Sequence, residues 1–253
     1  SPGFCGFASP RCVGSANSLA MACAFAGDYH DTIWGVPVRD SRILFAQLSL
    51  CTQQCGVSWR IVWNKRHHYE AAFHGWDRRK VAQMTAEDVD ALCDKSGPWA
   101  GKIIQNRPKL AAIVNNAQKC VEIDDSHPGG LSAYLWSFVD GRDDEATNTH
   151  AHGTAAYDEN FGVTSQFSDA LARALKGERG FKFLGSVTLQ AFLLQNGQLN
   201  GHAPGCPCHA RCKRARAVCG TAAAAEPPAT VSRKRRRGAA GTSAADVAAD
   251  IFL

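Results

Sequence analysis

The sequence has no apolar run approaching the roughly 20 residues that a helix needs to span a bilayer, and no membrane partner is expected. The residues after Ser1 carry no signal-peptide pattern. Alternating apolar and polar positions of the kind that mark half-buried strands are almost absent, which argues against a sheet-based fold. There is no internal repeat, and neither a phosphate-cradling P-loop nor a dinucleotide-binding glycine fingerprint occurs in the expected folded part. A disulfide framework is missing too. The eleven cysteines are odd in number and scattered, which suits a reducing compartment with most thiols buried as small hydrophobes. The exception is Cys206-Pro-Cys208-His209-Ala-Arg-Cys212, whose close Cys/His spacing suggests a metal.

What is present fits a globular protein. The 253 residues are 45% hydrophobic and 20% charged, enough for one substantial domain with tails. The net charge of +5 suggests nucleic acid, but its location weakens the inference. Lys213 to Leu253 holds eight Lys/Arg and three Asp/Glu, which account for all of it. The rest is neutral on balance, so DNA affinity there must come from a local patch.

Residues 1–11 are Gly/Pro/Ser-rich and read as a flexible segment, residues 12–212 as a packed domain, and residues 213–253 as a disordered, Ala-rich basic tail. The run Arg233-Lys234-Arg235-Arg236-Arg237 reads as a nuclear localisation signal or a non-specific DNA tether, so a nuclear, otherwise intracellular, location is expected. Within the domain the period is helical. Asp40 can cap a helix carrying Ile43, Leu44, Leu48 and Cys51. Trp59, Val62 and Trp63 share helical spacing, and Thr85-Ala-Glu-Asp88 resembles a capping box before Val89 and Leu92. Pro108 suits the first turn of a helix through Ala111, Val114, Ala117 and Val121. Ser168 can cap 169–176, and a helix over 186–196 is stopped by Gly197. An all-α domain follows.

Several segments in this order resemble the 3-methyladenine DNA glycosylase I family. They are Arg11-Cys12; Tyr29-His30-Asp31 with Trp34-Gly35-Val36-Pro37; Gln53-Gln54-Cys55-Gly56-Val57-Ser58-Trp59; Tyr134-Leu135-Trp136-Ser137-Phe138; Arg179 to Gly185; and Asn200-Gly201-His202 with Gly205-Cys206. The resemblance spans nearly the whole domain and neither tail. It implies the helix-hairpin-helix glycosylase fold, in two helical lobes with the damaged base between them, and a monomer acting on double-stranded DNA that contains alkylated bases.

The resemblance also implies one structural zinc ion joining the chain ends through Cys12, His30, His202 and Cys206. Two thiolates and two imidazoles make a tetrahedral structural set and leave no open position for a catalytic water. Cys208, His209 and Cys212 are alternative ligands.

For the chemistry, the resemblance implies monofunctional hydrolysis of the N-glycosidic bond of 3-methyladenine, with other alkylated purines as further candidates. A base in a duplex must be flipped out of the stack first. N3-methyladenine in DNA is cationic and its glycosidic bond is already weak, so binding against aromatic faces goes far. Tyr29 and Trp59 match the aromatic residues that line the family pocket, Trp34 is a further wall, and Val57 matches the wedge that probes the DNA stack. Cys51 stands where well-known bacterial members carry a glutamate that bonds the extracted base, and a thiol cannot supply negative charge. Gln53 or Gln54 can supply an amide contact instead. Arg107 and Lys109, at the start of a helix, are the expected phosphate contacts. The loss of the acid motivates a second reading: a catalytically weakened or inactive DNA-damage binding protein of the same fold. A third is a zinc-stabilised interaction module whose pocket is filled.

Overall fold

The computed structural model describes residues 29–140, 164–202 and 206–223. Among them there is no strand, so the expectation of an all-helical domain is met. No described helix is long and apolar enough to cross a membrane. Cys12 and the Arg233–Arg237 run lie outside the described residues.

A short π turn, Tyr29–Ile33, leads into α1 (Ser41–Gln54). The Asp40 carboxylate caps α1 as expected, accepting from the amides of Arg42 at 2.7 Å and Ile43 at 3.0 Å. Nearly every side chain of α1 from Ile43 to Gln53 is buried, so this helix runs through the core rather than along its surface. A turn at 55–58, with Gly56 at φ 73°, reverses the chain into α2 (Trp59–Asn64) and α3 (Arg66–Ala72). After α4 (Arg78–Ala82), the Thr85–Asp88 capping box starts α5 (Ala86–Cys93), again as expected.

The longest helix, α6 (Arg107–Ser126), packs against α1, α4, α5 and α7 (Gly130–Trp136). Its start follows from sequence: Asn106 accepts from the Lys109 amide, and Pro108 occupies the first turn, where no intrahelical donor is needed. Farther on come α8 (Gln166–Ala172), a π turn at Arg173–Glu178, α9 (Ser186–Gln195) and α10 (Pro207–Ala223).

Two boundaries differ from the sequence reading. Ser165, not Ser168, caps α8. Ser168 instead occupies the third helical position, where its hydroxyl accepts from the Ser165 amide at 2.8 Å and closes a capping box with serine in the place usually held by Glu or Gln. The chain also stays helical past Cys212 to Ala223, where a tail was expected from Lys213. Ala, Arg and Lys are strong helix formers, and Arg216 anchors the helix by donating to the Val139 carbonyl at 3.0 Å.

Gly197 stops α9 as expected, and a second constraint holds it there. Its φ is +61°, and a Cβ at this position would lie 2.5 Å from the Pro37 nitrogen and 2.6 Å from the Gly35 oxygen. The end of α9 thus packs directly on the 35–37 backbone. Hydrogen bonds from Gly35 N to the Gln195 carbonyl and from Val38 N to the Asn196 carbonyl, each 3.1 Å, hold the two segments together. This contact holds Gln195, beside Cys51, and Gly35, beside His202, in one frame.

Candidate active site and metal centre

The π turn carrying Tyr29 lies across α1 and α2. The Trp59 indole N–H donates to the Tyr29 hydroxyl at 3.0 Å, fully buried. Tyr29 also meets Trp63 edge-on with ring centroids 4.8 Å apart, and Trp63 lies 5.9 Å from Trp59. The structure thus brings together Tyr29 and Trp59, the two expected aromatic residues, and adds Trp63. The signal for Trp63 was present in the sequence: four residues beyond Trp59, it shares one helix face. The Arg66 guanidinium covers the Trp63 ring at 4.4 Å from its centroid, so that face is already engaged by a cation.

Cys51 is fully buried on α1, close enough to Tyr29 to influence its ionisation. Its thiol donates to the Gln195 side-chain oxygen at 3.5 Å. Burial pushes both the Cys51 thiol and the Tyr29 phenol well above their ordinary values, so both are neutral at physiological pH. The buried polar residues described include glutamines, asparagines, serines and Lys109 but no Asp or Glu. The described residues of this site therefore present aromatic faces and neutral dipoles. Gln195, which sequence reasoning missed, has its amide oxygen on Cys51 while its amide nitrogen is buried without a hydrogen-bond partner.

The remaining expected residues fall elsewhere. Trp34 packs with the histidines, edge-on to His202 at 4.6 Å and stacked on His30 at 6.2 Å. Gln53 ties helices together: its amide nitrogen donates to Thr52 Oγ1 at 2.9 Å and the Lys109 carbonyl at 3.0 Å, and its oxygen accepts from the Tyr69 hydroxyl at 3.4 Å. Lys109 is 7% exposed, and its ammonium donates to the Gln53 carbonyl at 3.1 Å and to the Cys55 carbonyl. It thus neutralises the C-terminal dipole of α1 instead of presenting its charge to a phosphate. Arg107 is exposed and paired with Asp90. Half-buried Val57 sits in the turn between α1 and α2, flanked by exposed Gly56 and Ser58.

The second constellation is a group of metal-ligating side chains. One donor atom each of His30, His202, Cys206 and Cys208 lies within 4.8 Å of the others, so the group could hold a metal ion. Cys206 Sγ is 3.9 Å from His30 Nε2 and 3.8 Å from His202 Nδ1. Tetrahedral zinc bonds of about 2.0 Å to nitrogen and about 2.3 Å to sulfur give nitrogen–sulfur edges of about 3.6 Å. The two Cys206–histidine edges fit such an ion with a contraction of a few tenths of an ångström. The outer hydrogen bonds also fit. His30 Nδ1 lies 2.8 Å from the Asp31 carboxylate, and His202 Nε2 lies 3.1 Å from the Trp34 carbonyl. Each acceptor holds a proton on the outward ring nitrogen and leaves the inward one with a lone pair. Burial lowers the His202 pKa to about 3, keeping that ring neutral. Gly35 makes room for it, since a Cβ there would sit 2.8 Å from His202 Nε2.

The methyladenine glycosylase family pattern matches residues 21–209. The chain is 38% identical over 183 residues to the DNA-3-methyladenine glycosylase of Haemophilus influenzae, covering 72% of this chain and 90% of that one. It is 37% identical over 181 residues to DNA-3-methyladenine glycosylase 1 of Escherichia coli K12, covering 72% and 89%. Among solved structures, one 3-methyladenine DNA glycosylase I superposes with a TM-score of 0.63 at 38% identity, over 79% of this chain and 99% of that one. The Staphylococcus aureus enzyme, solved to explain its 3-methyladenine recognition, superposes with a TM-score of 0.62 at 35% identity, over 76% and 98%. The chain belongs to the methyladenine glycosylase family.

Proposed function

We propose that the protein is a DNA base-excision repair glycosylase that hydrolyses the N-glycosidic bond of 3-methyladenine. The observation that carries this reading is the buried Tyr29–Trp59 hydrogen bond, which joins the chain's early segment to α2 beside Cys51 in a family member. The flipped base is held against Tyr29 and Trp59, with Trp63 behind them and Cys51 with Gln195 at the floor. The bond from the sugar C1′ to N9 breaks, and its electron pair moves to the base, which leaves as neutral 3-methyladenine. Water bonds to C1′ and gives up a proton to solvent. A cationic base gains about 0.5–2 kcal/mol from each aromatic face it meets, and that gain falls as the base becomes neutral.

Double-stranded DNA containing alkylated bases is the partner, and the protein acts as a monomer. Val57, in the turn between α1 and α2, is the residue that enters the stack, and Arg107, exposed at the start of α6, contacts the phosphate backbone. The zinc ion is structural. His30, His202 and Cys206 are three of its ligands, and it ties the early segment to α10. The Arg233–Arg237 run directs the chain to the nucleus. The absence of buried carboxylates among the described residues favours a second reading, a catalytically weakened DNA-damage binder.

Titration with free 3-methyladenine, followed by tryptophan fluorescence, tests the pocket. Saturable quenching that is lost in Trp59→Ala is expected. No response in the folded, zinc-loaded protein would mean the pocket is filled.

A further inference from the structure

We infer that Cys208 is the fourth ligand of the metal centre, so that α10 supplies two thiolates through a Cys206-x-Cys208 chelate; this rests on the zinc reading above. Three independent features of Cys208 support it. Its sulfur belongs to the one described group whose donor atoms all lie within 4.8 Å. Both cysteines at the start of α10 are buried, 3% and 5% exposed, although Pro207 between them is exposed. The alternation turns both sulfurs inward toward His202 and His30. Finally, Cys208 Sγ lies 3.8 Å from Asp31 Oδ1, the same oxygen that bonds His30 Nδ1. When metal replaces the thiol proton, that oxygen keeps its partner on His30, so ligation strands no buried acceptor.

The neighbouring candidates do not meet these conditions. Cys212 is buried a turn farther along α10, where it faces Gly35: a Cβ there would lie 3.8 Å from its sulfur. Neither Cys212 nor His209 belongs to the four-donor group. With Cys206 and Cys208 both ionised, the two thiolates cancel the charge of a divalent ion, and two neutral imidazoles complete a closed tetrahedral set. The centre then needs only His30 from the early part of the chain and three donors between His202 and Cys208.

Cobalt substitution of the full-length protein tests the assignment. The thiolate-to-cobalt charge-transfer band reports how many thiolates bind, and the ligand-field band reports tetrahedral geometry. In the wild type we expect one ion and two thiolates. Cys208→Ser should halve the charge-transfer band and weaken zinc, measured by chelator competition, at least about 100-fold, more than loss of an outer-shell partner costs. Cys208→His should restore tetrahedral cobalt with a single thiolate, separating ligation from a folding defect. Cys12→Ser and Cys212→Ser should leave the wild-type spectrum unchanged. An unchanged spectrum in Cys208→Ser, with one thiolate lost in Cys12→Ser, would overturn the assignment and leave the zinc reading standing. Failure of the wild type to take up zinc or cobalt would instead overturn the zinc reading itself.

Discussion

Cys51→Glu puts a carboxylate into a site whose described residues present π faces and neutral dipoles. The neighbouring amide makes the change feasible. In the wild type the Gln195 oxygen accepts from the thiol, and its nitrogen is buried and unpartnered. A flip of that amide turns the spare N–H toward the new carboxylate, so the substitution satisfies one orphaned donor while introducing a charge. A carboxylate 4 Å from a cationic base is worth about 4 kcal/mol at an effective dielectric constant of 20. Desolvation consumes part of this, and a hydrogen bond to a charged group contributes about 1.5–3 kcal/mol net. The expected gain is therefore about 10- to 100-fold in affinity for the cationic base of a methylated duplex over adenine in the same duplex. Without ligand the variant holds an unneutralised buried acid and should melt below the wild type. Burial raises that carboxyl's pKa, so the gain is present above the raised value and fades as pH falls through it. Binding of methylated and unmethylated duplexes to the wild type, Cys51→Glu and the smaller Cys51→Asp, measured before base release, reads this directly. A folded variant with unchanged discrimination would refute the claim that the site's neutrality limits cation binding.

Lys109→Met should cost about 3 kcal/mol in denaturant unfolding, because it strands the carbonyls of Gln53 and Cys55 at the end of α1, and it should leave the salt dependence of DNA binding unchanged. Arg107→Ala is the converse: an unchanged melt, with the slope of log K against log salt falling by about 0.9 if Arg107 contacts one phosphate. Gly197→Ala should cost about 3 kcal/mol, from its left-handed backbone and the clash with Pro37 and Gly35, lowering Tm by roughly 10 °C. Asp40→Ala should cost about 1 kcal/mol by thermal unfolding, through loss of two capping bonds. Since Tyr29 and Cys51 both titrate well above their ordinary values, neither should produce an inflection in base release between about pH 5 and pH 8, and folding should weaken only as pH rises above the unfolded thiol's value.

The helical architecture was legible because local chemistry at helix ends is short-range. Asp40, the Thr85–Asp88 box, Pro108 and Gly197 each act on backbone within a turn of themselves, and each behaves as its sequence context indicates. Ser168 shows the limit of that reasoning: Ser165 and Ser168 are both competent caps, and the choice depends on a tertiary partner, since the Ser165 hydroxyl also bonds Gln190 at 2.7 Å. Side-chain roles were less legible where charge and location part company. Lys109 looks like a phosphate contact in a basic turn, yet the unsatisfied carbonyls of α1, far away in sequence, draw it inward. Trp34 reads as a pocket wall, but it packs against Gly201 and the His202 ring, beside the histidine–cysteine group that could hold a metal. Gln195 carries no sequence signal, because its significance comes from touching Cys51 across 144 positions.

The most direct test of the central claim is base release from methylated duplex DNA. It should be run with zinc-loaded protein in excess, and the freed bases identified by mass. Free 3-methyladenine is expected, with release strongly reduced in Trp59→Ala and in Tyr29→Ala. Tight binding to the alkylated duplex with no free base, even at high protein concentration, would contradict it and leave a damage-binding protein in its place.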